Sequence, residues 1–342
     1  MQGREASRKA HFVRHWARRR YHPRMDVPRH REANNVTRAV VVPGNHDGVH
    51  VGHVGLLQLA RREAEKDGAR VVALTFDPHP LALLAPERAP STLTLIARRK
   101  ELLLRAGADE VVIAPFDARY AKLGPAHFIE RELVEKLHAS ALVVGPDFRF
   151  GQARAGDVAF LRTEGERLGF RVVIADAIPA ADVARVSSTS VREALVRGDV
   201  DAAARMLGRV HEIEGEVIHG QARGRTIGFP TANLLPSGVL LPKDGVYAVV
   251  ARVLGGEEPL LTGVANLGVR PTLGAGRSVE VHLFDVDRDL YGKTLRVGFV
   301  RWLRDEQKFE SFDALVAQIQ RDAASARETS KTFAATSPNA LC

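Results

Sequence analysis

The sequence predicts an α/β protein: a doubly wound parallel-sheet domain, followed by a small antiparallel β-barrel domain with a C-terminal helix. Three observations carry this. Short apolar runs alternate with amphipathic helical stretches through roughly the first two hundred residues, the pattern of a parallel sheet covered on both faces. After Leu207-Gly208 the texture changes to short β-rich runs separated by Gly, Pro and Asp, as in small barrels. Residues 311–327 then return to a helical period with Phe312, Leu315, Val316 and Ile319.

The 342 residues suit two domains. With 45% hydrophobic and 26% charged residues the chain has ordinary globular composition, which excludes a disordered or collagen-like protein. No run of about 18 apolar residues occurs, so no spanning helix is expected. The single cysteine, Cys342, excludes a disulfide framework and a Cys-based metal site. A net charge of +8 suggests nucleic acid or another anionic surface. Residues 1–24, however, hold eight basic residues against Glu5 alone, a local +7 that leaves about +1 for the rest. That opening has no period able to bury a face, and residues 1–35 are expected to be disordered. It admits three readings: a nucleic-acid arm, an Arg-rich transit-like segment, or upstream sequence joined to a protein that begins at Met25.

Each element has a local reason. Ala39-Val40-Val41-Val42, ended by Pro43-Gly44, is a buried parallel strand. Residues 53–66 set Leu56, Leu57, Leu59 and Ala60 against Arg61, Arg62, Glu63 and Lys66, an amphipathic helix stopped at Gly68. Further strands are expected at 70–76, 110–114, 141–145 and 171–175, and helices near 97–106, 125–138, 157–168 and 189–197. Ligands of such a sheet bind at the carboxyl ends of its strands. The barrel strands are expected within 214–300, and the tail 328–342 as a disordered, Ser/Thr/Ala-rich end. This divides the chain into 36–207 and 208–327.

Between the first strand and first helix lies Gly44-Asn45-His46-Asp47-Gly48-Val49-His50-Val51-Gly52-His53. Its glycines allow tight turns and close approach, and helix-start amides suit an anion. His50 and His53, three apart, share a face once the helix has begun, and can donate to charge that develops on a triphosphate. A zinc pair or two solvated histidines would show the same spacing, but no further His or Cys stands in register. Ser188, Thr189 and Arg192 place hydroxyls at a helix start with a cation one turn on, which also suits phosphate.

A P-loop, GxxxxGK[ST], is absent. Gly220, Gly224 and Gly228, four apart, with Arg223 and Arg225 between them, are able to wrap phosphate or simply to make a glycine-rich barrel turn. Thr231 and Asn233 offer the hard oxygens that magnesium prefers. An isolated Glu280 in an alternating strand reads as solvent-facing by itself.

The string G-N-x-D-G-V-H-x-G-H resembles the first module of the bacterial bifunctional riboflavin kinase/FAD synthetase family, and HxGH resembles the wider nucleotidyltransferase superfamily. Thr75-Phe76-Asp77-Pro78-His79-Pro80, Gly145-Pro146-Asp147-Phe148-Arg149-Phe150-Gly151 and Ser187-Ser188-Thr189-Ser190-Val191-Arg192 follow in family order. So do GFPTAN (228–233), DGVYA (244–248), NLGVRPT (266–272), EVHL (280–283) and LYG (290–292) of the kinase module. The resemblance covers about residues 38–327. It implies a riboflavin kinase barrel and an FMN adenylyltransferase domain, with ATP as co-substrate, Mg2+ as metal and FMN as intermediate. It further implies His50 and His53 at the adenylyl transfer and Glu280 as the kinase base. Phosphate contacts are implied from Gly44, Asn45, Asp47, Gly48, Gly52, Ser188, Thr189, Arg192, Gly220, Arg223, Gly224, Arg225 and Gly228. Flavin contacts are implied from Phe76, Pro78, Asp147, Phe148 and Arg270, and metal contacts from Thr231 and Asn233.

Two positions depart from the family pattern. His46 stands where the family usually has Phe, and Asp147 where it often has Asn. A short lead before the first motif is usual in the family, which favours Met25 as the start. Two alternatives compete with the bifunctional reading: a riboflavin kinase with an impaired first module, and a basic-tailed nucleic-acid-binding or flavin-sensing regulator. The bifunctional reading expects riboflavin, FMN and ATP as partners, with no membrane or nucleic acid, in the cytoplasm.

Overall fold

The first strand, β1 (Ala39–Pro43), is buried at every residue. Successive side chains point to opposite faces, so an all-apolar strand must be covered on both. Val40 and Val42 pack with Leu57, Ala60 and Leu103 on one face, whereas Ala39 and Val41 pack with Ile129, Leu133 and Leu161 on the other. The protein is described by a computed structural model over residues 38–175, 186–220, 228–256, 259–269 and 277–342. The basic extension, Arg223, Gly224, Arg225 and Arg270 lie outside the described residues.

The remaining strands of this sheet are β2 (Arg70–Asp77), β3 (Glu110–Pro115), β4 (Ala139–Val144) and β5 (Arg171–Ile174). All pair in parallel, in the order β3-β2-β1-β4-β5. Chain order reverses direction between β1 and β4, which opens a crevice at their carboxyl ends. Helix α1 (Val51–Asp67) follows β1 and ends on Gly68, whose φ of 63° supplies the left-handed cap. Helix α2 (Ile96–Arg105) precedes β3, and α3 (Val158–Leu168) is capped by Asp157, which accepts from Phe160 N. The expected helix at 125–138 is instead one short turn followed by a π-helix, Phe128–Glu135. Such stretches are rare and recur near functional sites.

The second compact unit includes the chain from Thr189 onward. Helices α4 (Ser188–Val196) and α5 (Val200–Leu207) lead into its barrel. The strands are β6 (His211–Ile218), β7 (Ala232–Pro236), β8 (Gly245–Val253), β9 (Leu261–Val269), β10 (Arg277–Leu283) and β11 (Thr294–Arg304). They close in the order β10-β7-β6-β11-β8-β9, which leaves no free edge. Tyr247 and Phe299, both fully buried, meet edge to face at 5.3 Å between ring centres.

The expectation of a disordered tail is corrected. Helix α6 (Phe312–Thr336), capped by Ser311, runs well past Glu328. Ala326 and Ser330 are fully buried, and small residues there let the helix approach closely. Ser330 Oγ satisfies itself on Ala326 O, a pairing that Ser/Thr/Ala composition conceals. Beyond the helix, Leu341 packs with Val210 and Val250, and its carbonyl accepts from Arg296.

Candidate active sites

The chain has to turn from β1 into α1 between Pro43 and Val51. It uses left-handed backbone at His46 (φ 51°), Gly48 (φ 83°) and Val49 (φ 39°). Glycine adopts this region freely and a β-branched valine does not, so the surroundings must hold the loop. Gly44 N donates to Leu74 O at 2.9 Å, and Thr75 Oγ1 donates to Asn45 O at 2.8 Å. Ser188 Oγ, at the first residue of α4, donates to Asp47 O at 2.8 Å. The Asp47 carboxylate is 2% exposed and accepts from Leu93 N, Thr94 N and the Arg99 guanidinium. Its oxygens are committed to anchoring the loop, and a carboxylate facing phosphate would repel it. A phosphate contact from Asp47 would therefore be made by its backbone.

His50 caps α1 and His53 lies in its first turn, and their rings stack with centres 3.7 Å apart. Gly52 gives the His50 ring room, because a Cβ there would come 3.1 Å from it and press it aside. Gly44 plays the same part for His46, whose ring would lie 2.9 Å from an added Cβ. Thr189 and Arg192 follow Ser188 on α4, Thr189 exposed and Arg192 half-buried.

His46 packs its ring at 5.0 Å and nearly perpendicular to His53, and its Nε2–H donates to Val42 O at 3.1 Å. Burial, reinforced by the nearby Arg99 charge, outweighs that hydrogen bond and lowers its pKa from 6.5 to about 4. The ring is therefore neutral, an aromatic wall like the phenylalanine it replaces. The unfolded chain protonates this imidazole below pH 6.5 while the folded state keeps it neutral down to about pH 4. Its contribution thus destabilises the fold progressively as pH falls through that window, by about 3 kcal/mol at the lower end. His46→Phe is expected to remove this loss. Unfolding free energies of parent and variant, measured from pH 7 to pH 4, should diverge in the variant's favour, and parallel curves would refute the assignment.

Beside this loop, the ends of β2, β3 and β4 surround a cavity of about 660 Å³. Phe76, Phe116, Tyr120, Phe128, Phe148 and Phe150 line it, with Arg149 and Arg154 also on its surface. Phe76 meets Phe116 edge-on at 5.9 Å, and Phe148 stacks on Phe150 at 5.5 Å. Burial raises the Tyr120 hydroxyl's pKa above its ordinary value, with the Glu132 charge adding to it. Of the expected flavin contacts, Phe76 and Phe148 are in this wall. Pro78 and Asp147 are exposed and absent from it. Phe150 belongs to the same motif as Phe148, whereas Phe116, Tyr120 and Phe128 carried none.

In the barrel, register brings the chemistry together. Glu280 on β10 pairs with Asn233 on β7 and with Asn266 on β9. Directly opposed side chains lie about 4.5–5.5 Å apart at Cβ, so a carboxylate sits between two amides. Sequence reasoning marked Glu280 and Asn233 but missed Asn266, whose place emerges only from strand pairing. Thr231 immediately precedes β7. Gly228, with φ 77°, turns the chain into Phe229-Pro230, and the His282 ring holds that turn through Pro230 O at 2.8 Å.

Gly220 has a steric reason: a Cβ there would come within 2.0 Å of the Asn233 amide nitrogen. Gly220→Ala is expected to displace Asn233 and slow this site's reaction roughly 10- to 100-fold, as misplacement of a positioning group does. A steady-state assay of the barrel's reaction checks it, and an unchanged rate would separate Gly220 from the site.

Two cavities meet at Thr231. One, of about 550 Å³, is lined by Phe229, Asn266, Glu280, Glu306, Phe309 and Phe312. The other, of about 640 Å³, is lined by Pro230, Asp287, Arg288, Leu290 and Tyr291. Arg304, at the end of β11, grips Asp322 of α6 through Nε at 2.9 Å and Nη2 at 2.7 Å, bracing the first cavity's helical wall. His219 stacks on Tyr291 at 3.8 Å beside the second. Among the described residues no cluster of three His, Cys, Asp or Glu is able to hold a metal. Thr231 and Asn233 instead offer neutral oxygens, a set suited to magnesium arriving on a nucleotide.

A sheet with a histidine loop at its switch point, followed by a barrel with two cavities that meet at Thr231 and a carboxylate in one of them, defines a two-site nucleotide-dependent transferase. A family model for FAD synthetase matches residues 32–190, and one for riboflavin kinase matches residues 207–330. The chain is 44% identical to the bifunctional riboflavin kinase/FMN adenylyltransferase of Escherichia coli K12, over 84% of this chain and 92% of that protein. It is 40% identical to the protein of the same description from Haemophilus influenzae, over 85% and 92%. Among solved structures, a macrolide-efflux protein from Streptococcus pneumoniae matches with a TM-score of 0.77 at 30% identity, covering 88% of this chain and 96% of that one. Among the described residues here, no helix is long and apolar enough to cross a membrane. The chain belongs to the bifunctional riboflavin kinase/FMN adenylyltransferase family.

Proposed function

We propose that the two activities, riboflavin kinase and FMN adenylyltransferase, run at the two sites described above. The observation that carries this assignment is the pair of cavities meeting at Thr231, with Glu280 on one side only.

In the barrel, the apolar cavity with Phe229, Phe309 and Phe312 takes the riboflavin ring, and the cavity with Arg288 and Tyr291 takes ATP. The ribityl hydroxyl presents its proton to Glu280 while its oxygen attacks the γ-phosphorus, and ADP leaves. Asn233 and Thr231 would hold the magnesium that accompanies the nucleotide, while the Asn266 amide, opposite Glu280 in register, donates to Glu306 Oε1 at 3.4 Å.

In the α/β unit, the aromatic cavity holds the flavin of FMN between Phe76 and Phe148. An FMN phosphate oxygen attacks the α-phosphorus of a second ATP, and pyrophosphate leaves. His50 and His53 donate to the charge that builds on the phosphates as the bond breaks. Gly44, Gly48 and Gly52 let the backbone and both rings approach, while Ser188 holds the loop through Asp47 O.

The experiment is direct. The protein is incubated with riboflavin, ATP and magnesium, and the flavins are separated by chromatography over time. FMN should appear first and FAD after it; formation of neither overturns the assignment.

A further inference from the structure

Within the basic run Arg98-Arg99-Lys100 of α2, Arg99 is only 5% exposed. Its Nη1 donates to Asn45 O at 3.1 Å and to Phe76 O at 3.4 Å. Its Nη2 donates to Asp47 Oδ1 and to Thr94 O, each at 3.3 Å. These acceptors belong to separate stretches: the histidine loop, the end of β2 and the residues leading into α2. A planar guanidinium can reach several such acceptors at once, which a lysine ammonium cannot reproduce.

The histidine loop has a reason to need this clamp. Three of its residues occupy left-handed backbone, one of them the β-branched Val49. Its Asp47 carboxylate is buried, and a buried charge is tolerated when a counter-charge and hydrogen bonds compensate it. Arg99 supplies the counter-charge. Through Phe76 O the same group also reaches the strand end whose side chain lines the aromatic cavity.

We propose that Arg99 is a positioning residue for adenylyl transfer, which holds the histidine loop in register with the wall of the flavin cavity. It touches neither substrate. Through Asn45 O and Asp47 it fixes the conformation that presents His50 and His53, and through Phe76 O it ties that conformation to the flavin side. In-line attack needs reacting atoms about 3–3.5 Å apart, and a displacement of about 1 Å can cost roughly 10²-fold in rate. The inference rests on the assignment of His50 and His53 to adenylyl transfer.

The test uses the full chain with Arg99→Lys, Arg99→Met and the double variant Asp47→Asn/Arg99→Met. The double variant removes both charges together, so no lone buried charge is left to unfold the unit. FAD formation from supplied FMN is measured as kcat and as KM for ATP, FMN formation from riboflavin is the internal control, and thermal unfolding reports folding. In the double variant, kcat for FAD should fall about 10²-fold, with KM for ATP within about threefold, kinase rate unchanged and unfolding intact. Arg99→Lys should recover part of that loss.

Three results overturn the proposal: a folded double variant with kcat near the parent's; activity lost only in step with the unfolded fraction in every variant; or a raised KM for ATP at intact kcat. His50→Ala runs alongside. If it keeps full FAD formation, the underlying assignment fails, and that failure is read independently of the Arg99 variants.

Discussion

Glu280→Gln is expected to abolish FMN formation while FAD synthesis from supplied FMN continues at the parent rate. Glutamine keeps the shape and sits in the same register opposite Asn233 and Asn266. It cannot accept the hydroxyl proton, and loss of a positioned general base typically costs about 10²- to 10⁴-fold. Because the substitution is nearly isosteric and the residue is half-buried, folding should be unaffected. The readout is a time course of riboflavin phosphorylation with a parallel assay of FMN adenylylation. A variant that still phosphorylates riboflavin within about threefold of the parent would remove Glu280 from the chemistry.

His50→Ala should do the reverse. The imidazole is 6% exposed, stacked on His53 and backed by Gly52. Removing one donor aimed at developing charge costs about 2.7–4 kcal/mol, or 10²- to 10³-fold in kcat. FAD and pyrophosphate production from FMN should fall by that factor, and riboflavin phosphorylation should not change. The losses from His50→Ala and His53→Ala should not add, since the rings act as a stacked pair. Loss of both activities in a folded His50→Ala protein would contradict two independent sites.

Much of the parallel sheet was legible because its signals are local. Ala39–Pro43 is apolar throughout, and Gly68 and Asp157 mark helix ends by their own chemistry. The histidine loop was legible as a motif because its glycines and histidines have to occur at fixed spacing. What stayed hidden depends on partners distant in sequence. Asp47 looks like a phosphate-loop residue until Leu93, Thr94 and Arg99 are seen to surround its carboxylate. Arg99 carries no motif, and its role rests on acceptors at Asn45, Asp47, Phe76 and Thr94.

The barrel shows the same division. Its strands could be read from β-rich runs, except β7, whose first two residues, Ala232 and Asn233, close the GFPTAN motif. Asn266 acquires meaning only when β9 pairs with β10. The tail was misjudged because Ala326 and Ser330 pack by being small, and no hydrophobic period announces that. His46 looked like a weakness in the adenylyltransferase motif; burial makes it a neutral ring that packs as an aromatic residue would.

The central claim is that one chain performs two chemically different transfers from ATP. The most direct measurement incubates the protein and riboflavin with ATP radiolabelled either at the α- or at the γ-phosphorus. The γ-label should enter FMN and then persist in FAD, whereas the α-label should appear in FAD and never in FMN. An α-label in FMN, or a FAD product carrying no α-label, would contradict the account.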